Sequence, residues 1–200
     1  MARPKNQADK RRELMDAAQR AIATRGLGAL RLRDVADEAG ITGPAVSYYY
    51  PNIDDLLVDV YNRAIHNAIE RGPVAIADIS DPWEQIQALM AEDMATGPDD
   101  VDSSIMYQYA GEPRFSRTYG AMSAALHSSQ QGLYRSVIDR GLSLGRFESD
   151  LDSAVAARAI IALGDAFGLQ VVVAEPGVTQ ASALAELSTI AASMLRVSQD

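Results

Sequence analysis

The sequence predicts an all-α chain of about nine helices, a three-helix helix-turn-helix domain followed by a larger helical body. Three observations carry that reading. Apolar residues recur at helical spacing along most of the chain, glycine and proline fall between those stretches, and no period-2 alternation is long enough to defend a strand. No internal repeat is present. With 200 residues, 48% of them hydrophobic, the chain can bury one substantial helical core or join a small domain to a larger one.

The first helix is expected over residues 8–25, with Leu14, Ala17, Ala18, Ala21 and Ile22 on one face and Gly26 as its stop. Leu32, Val35, Ala36 and Ala39 then follow the i, i+3, i+4, i+7 rule of a short amphipathic helix. Gly40 suits the left-handed position that ends it, and Ile41 offers an apolar plug for the corner. Thr42 supplies a side-chain oxygen suited to capping the next helix, and Pro44 fits its first turn. In that short helix Val46 and Tyr50 face inward, leaving Ser47, Tyr48 and Tyr49 largely outside.

Asn52 is placed to cap a long fourth helix with apolar pairs at 56/57, 60/61, 64/65 and 68/69, ended by Gly72-Pro73. This helix connects two domains, 1–52 and 53–200. Asp81-Pro82-Trp83-Glu84 resembles a capping-box start, followed by the stripe Trp83, Ile86, Met90, Met94 and closed by Gly97-Pro98. A shorter helix spans 100–110, with Ile105, Met106 and Tyr109 as its apolar members. Pro113 opens a long pattern through Phe115, Tyr119, Met122, Leu126, Leu133, Val137 and Ile138 to Gly141. Residues 145–152 form a loop into a helix over 151–174, and Thr179 caps a last helix reaching 197. These two helices hold twelve alanines between 151 and 195. Their broad apolar faces suit either a buried core pair or burial on two sides, with a second subunit on one of them.

Cysteine is absent, which excludes disulfides, thiolate metal sites and a cysteine nucleophile. The polar, basic N-terminus lacks the apolar stretch of a secretory signal, and the apolar runs are broken by charges such as Arg158 and Asp165 far short of the ~18 residues that span a bilayer. A cytoplasmic protein with no membrane partner is the expectation. The net charge is −9 but unevenly placed. Residues 1–33 carry nine basic side chains and three acids, whereas residues 61–200 carry nine arginines and eighteen acids. A basic end on an acidic body can meet a polyanion in one orientation.

Pattern alone leaves two readings of residues 32–56, an ordinary αα-hairpin or a nucleic-acid reader. Leu14, Ala17, Ala18 and Gly26, then Asp34, Val35, Ala36, Ala39, Gly40, Ile41 and Thr42, and finally Val46, Tyr49, Tyr50 and Leu56, add a further observation. Through these positions residues 11–60 resemble the N-terminal domain of the TetR family of one-component transcriptional repressors. The resemblance covers about a quarter of the chain. It implies a DNA-reading helix from Thr42 to Tyr49, an expected contact set of Arg31, Arg33, Thr42, Gly43, Pro44, Ala45, Ser47, Tyr48 and Tyr49, and a homodimer through the last two helices on a palindromic double-stranded operator.

Three departures bear on that set. Ile53 stands where the family usually has a phosphate-contacting lysine, Ser47 where it often has tyrosine, and Arg31 where a threonine or serine usually caps the second helix. No Arg, Asn or Gln lies on the reading helix, so bidentate base recognition falls to Arg33, the basic arm and DNA shape. The resemblance also makes the body a sensor for a small, largely apolar effector, with Trp83, Met90, Met94, Met106, Tyr109, Phe115, Tyr119, Met122 and His127 as candidate lining residues. No cofactor or metal is expected: phosphate-loop and HExxH motifs are missing, and His66 and His127 are too far apart in sequence for a metal pair. Asp99, Asp100 and Asp102 read as helix-start acids. An enzyme is therefore not expected. A dimeric helical adaptor that no longer binds DNA is the alternative.

Overall fold

Several helices in this chain start where a side chain serves their first free amide groups. Asn52 Oδ1 accepts from the Asp55 N–H at 2.8 Å, Asp81 Oδ1 from Glu84 at 2.9 Å, and Asp152 Oδ1 from Ala154 at 2.9 Å. Thr179 and Ser182 close a reciprocal box, each hydroxyl accepting the other residue's amide. The computed structural model describes residues 3–110 and 116–198. Among them are nine helices: α1 (Arg3–Arg25), α2 (Leu32–Ala39), α3 (Gly43–Tyr49), α4 (Ile53–Ala75), α5 (Pro82–Asp93), α6 (Val101–Ala110), α7 (Ser116–Ser143), α8 (Ser153–Val172) and α9 (Gln180–Leu195). A single 3-10 turn, Leu27–Ala29, joins α1 to α2. Phe147 and Val197 form an isolated bridge and no strand occurs among the described residues.

Four local expectations change. Thr42 occupies the cap position of α3, but its side chain makes no capping hydrogen bond. Glu84 does not complete a capping box, so α5 starts on the Asp81 cap alone. Tyr49 is half-buried against the core instead of lying largely outside. Gly72-Pro73 does not end α4, which runs on to Ala75 with Pro73 inside it. Gly72 is buried so close to α7 that a Cβ there would stand 3.0 Å from Leu133 Cδ2. Tertiary packing thus holds the chain helical beyond the point where local propensity would release it.

The apolar interior has two parts. One gathers α1, α2, α3 and the first half of α4, and continues into Ile105 and Tyr109 of α6 and Tyr119 and Leu126 of α7. The other joins α5, the second half of α7, α8 and α9. Residue 52 therefore marks a helix cap, while the core passes across it through Leu56, Leu57, Val60 and Tyr61. Contrary to the reading of broken apolar runs, α8 is long and apolar enough to cross a membrane by length and composition. It carries Arg158 and Asp165 and packs between α7 and α9 within the fold. Val155, Leu169, Val173 and Ile190 stay exposed on α8 and α9 and their ends.

Candidate DNA-reading face and internal cavity

The pose of α2 is set by Asp34, which is 4% exposed. Its carboxylate takes Arg25 Nη1 at 2.9 Å and the backbone N–H of Arg31 at 2.8 Å, so one acid ties α1, the entry of α2 and the linking turn together. Gly40 ends α2 with φ 64°, the left-handed conformation a glycine adopts at little cost. Val46 and Tyr50 anchor α3 in the core with no measurable exposure. Tyr50 Oη donates to Asp59 Oδ2 at 2.8 Å, Arg11 Nη2 reaches the same oxygen at 2.8 Å, and the Arg11 guanidinium lies 4.3 Å from the Tyr50 ring centroid. Burial and then the bond to Asp59 push the Tyr50 hydroxyl well above its ordinary value, so it stays a donor.

That anchoring leaves Thr42, Pro44, Ser47 and Tyr48 exposed, with Gly43, Ala45 and Tyr49 half-buried behind them. Tyr48 and Tyr49 meet edge to face, centroids 5.0 Å apart. Most nearby cations have partners within the chain: Lys10 with Glu13 at 2.6 Å, Arg12 with Asp9 at 3.5 Å, Arg20 with Glu38 at 3.6 Å. The Arg31 guanidinium turns back onto the Leu30 carbonyl at 2.9 Å. The Arg33 side chain is 84% exposed and stands 3.9 Å from Asp34, which makes it more exposed than Lys10, Arg12 or Arg20. Ile53 packs half-buried against the N-terminal core, so the first turn of α4 offers carbon at the position where the resemblance implies a lysine.

Below this domain a cavity of about 980 Å³ lies among α1, α4, α5, α6, α7 and α8. Of the lining residues expected from sequence, Met94, Met106 and His127 reach it. Met90 is buried in the C-terminal core and Trp83 packs at its edge. Tyr109 and Tyr119 stack with centroids 4.4 Å apart in the N-terminal core, Met122 packs against that core, and Phe115 lies outside the described residues. Stripes of methionine and aromatic residues mark core at least as often as cavity, so the pattern could not separate the two.

The wall also holds Tyr107 and the acids Glu92, Asp93, Asp99, Asp100, Asp102 and Asp165, of which Asp99, Asp100 and Asp102 read in the sequence as helix-start acids. Asp100 does start α6, accepting the Ser103 N–H at 3.0 Å and the Thr96 N–H at 3.1 Å. Burial drives its carboxyl upward, but these amides and the two hydroxyls outweigh that and hold it below the ordinary range. Asp93 behaves oppositely. Burial keeps it above the usual carboxylate range despite bonds from Gln130 and from Tyr134 Oη at 3.0 Å, with Asp165 and Glu92 adding repulsion. His127 Nε2 stands 3.4 Å from Asp165 Oδ2, and that contact raises its pKa against the opposing effect of burial. The Tyr107 hydroxyl fits against α8 only because residue 168 is glycine, since a Cβ there would overlap it. A polar chain links this wall to α1: Arg63 bonds Asp16 and Gln19, each at 2.6 Å, and Gln19 Nε2 donates to Asp102 Oδ1 at 2.5 Å.

The described residues thus form a helix-turn-helix at one end and a hollow helical body at the other. Residues 14–60 match the family model described as bacterial regulatory proteins, tetR family. The chain is 25% identical over 158 residues to the HTH-type transcriptional repressor KstR2 of Mycobacterium tuberculosis, covering 76% of each chain. A putative transcriptional regulator from Saccharomonospora viridis, solved in complex with choline, superposes with TM-score 0.78 at 23% identity, covering 92% of this chain and 95% of that one. FadR from Bacillus subtilis, solved with stearoyl-CoA, gives 0.70 at 16% identity over 90% and 96%. Residues 14–60 are thus similar to the regulatory proteins of the tetR family, and the chain has the fold of solved regulators of that family.

Proposed function

We propose that the protein is a cytoplasmic repressor that binds a palindromic operator as a homodimer and lets go when a small molecule enters the cavity. The single observation that carries this reading is the chain Asp16, Arg63, Gln19, Asp102, because it runs without a break from the helix that backs the reading domain to the cavity wall. An occupant that prefers one arrangement of that chain shifts α1 and α4 together, and with them the separation of two reading helices that must sit ~34 Å apart. Arg33 and Arg31 supply phosphate contacts in this account. Thr42, Ser47, Tyr48 and Tyr49 meet base edges, sugars and phosphates, with Gly43, Pro44 and Ala45 in close apolar contact. The exposed Val155, Val173 and Ile190 form the subunit interface.

Choline and stearoyl-CoA, held by two regulators of this fold, differ in charge and size. Fold likeness therefore leaves the effector class open, and the chemistry of the walls decides it. Selection of bound DNA from a random pool, followed by a salt series on the winning sequence, tests the reading. A repressor loses affinity steeply with salt and selects a site with two-fold symmetry. An adaptor without DNA binding, the reading favoured by Ile53 and the internally paired cations, enriches no sequence.

A further inference from the structure

On the reading that the cavity is the effector site, we propose that its occupant is an amphiphilic organic cation, an amine or quaternary ammonium on a sizeable carbon skeleton, with its charge held between Asp93 of α5 and Asp165 of α8. The cavity is lined by six acids and by two arginines, Arg20 and Arg71. Both arginines are engaged, Arg71 with Glu92 at 2.7 Å and Arg20 with Glu38 at 3.6 Å. Asp100 spends its oxygens on the start of α6, and Asp102 accepts from Gln19. Among the described residues Asp93, which is half-buried, receives only neutral donors, from Tyr134 and Gln130, and Asp165 faces only the imidazole of His127 at 3.4 Å. Such an arrangement is costly until a positive group arrives.

The rest of the wall fits the remainder of such a molecule. Gln130 Oε1 is buried in the wall with no hydrogen-bond donor among the described residues, an acceptor for an ammonium N–H or an electron-poor methyl. Tyr61 and Tyr107 also line the cavity, and aromatic rings attract cations. Ile65, Met94, Met106, Leu126 and Leu169 supply carbon surface. At about 980 Å³ the space is near the upper end of ordinary ligand sites, too large for a lone ammonium headgroup to fill. A bare metal ion does not suit it: no group of three or more His, Cys, Asp or Glu among the described residues could hold one. A carboxylate or phosphate ligand would enter a field of its own sign.

The test uses the full-length protein and three probes with one ten-carbon chain, decyltrimethylammonium, decanol and decanoate, each kept below micelle formation. Calorimetric titration is expected to show the cation binding at least ten-fold tighter than either of the others. Asp165→Asn, on a half-exposed side chain, and the double variant with Asp93→Asn are expected to abolish that preference while decanol binding stays unchanged. Circular dichroism confirms that the variants fold, and the single variant keeps the test intact if the double one does not. Binding of decanoate or decanol as tight as that of the cation, binding of none of the three, or an undiminished preference in the variants would overturn the proposal. Selected operator DNA is titrated in the same preparations. A cation that binds a protein with no DNA affinity leaves the ligand class supported and overturns the repressor reading instead.

Discussion

Arg33 and Asp34 are neighbours with opposite fates. Arg33 projects into solvent, and its replacement by alanine is expected to weaken operator binding across all sequences and to lower the slope of log affinity against log salt by ~0.9, read by gel shift over a salt series. Asp34 is buried and holds two donors, so Asp34→Ala is expected to cost about 1–3 kcal/mol of stability, measured by urea unfolding. His127 carries a pH signature. Its contact with Asp165 raises its folded pKa above the unfolded value near 6.5, so the stabilisation is fully present below pH 6.5 and is lost as pH rises through the folded value. The melting temperature of the native protein should therefore exceed that of His127→Gln more at pH 5.5 than at pH 8.5. Neither the Asp34 nor the Asp59 cluster was legible in the sequence, because Arg25, Arg11 and Tyr50 reach those acids from other elements and obey no local spacing.

Helices were largely readable because periodicity, caps and breakers are local properties. Asn52, Asp81 and Thr179 cap where a short polar side chain precedes an apolar stretch. The exceptions arose where a neighbouring element overrode local propensity, as at Gly72-Pro73. Along α7 two glycines separate the two influences. A Cβ at Gly141 would overlap the ring of buried Phe147, whereas one at Gly132 meets nothing. Gly141→Ala is expected to destabilise by about 1–3 kcal/mol through overpacking. Gly132→Ala should stabilise by about 0.5–1 kcal/mol through helix propensity alone. Thermal unfolding of the two variants side by side checks both signs.

Two assemblies of contacts govern the molecule as a unit. One is the polar chain from Asp16 to Asp102, which crosses three helices and meets the cavity. Gln19→Ala is expected to leave operator binding in place but to change the effector concentration needed for release several-fold, read by gel shift with effector titration. The other is the apolar outer surface of α8 and α9. Charging it, with Val155→Arg and Val173→Arg together, is expected to convert the proposed dimer into monomer by light scattering and to abolish high-affinity operator binding, since one half-site lacks the second reading helix.

Amino-acid order alone was enough for the helical class, the helix-turn-helix and the positions of most caps, because each depends on residues within about two turns of one another. It was not enough for the reading face's charge or the cavity's character. Those depend on which of many exposed-looking acids and arginines find partners 40 or more residues away, as Arg11 does with Asp59 and Tyr134 with Asp93. Only packing decided that the methionine and tyrosine stripes mostly fill core, and that the hollow beside them is walled by carboxylates.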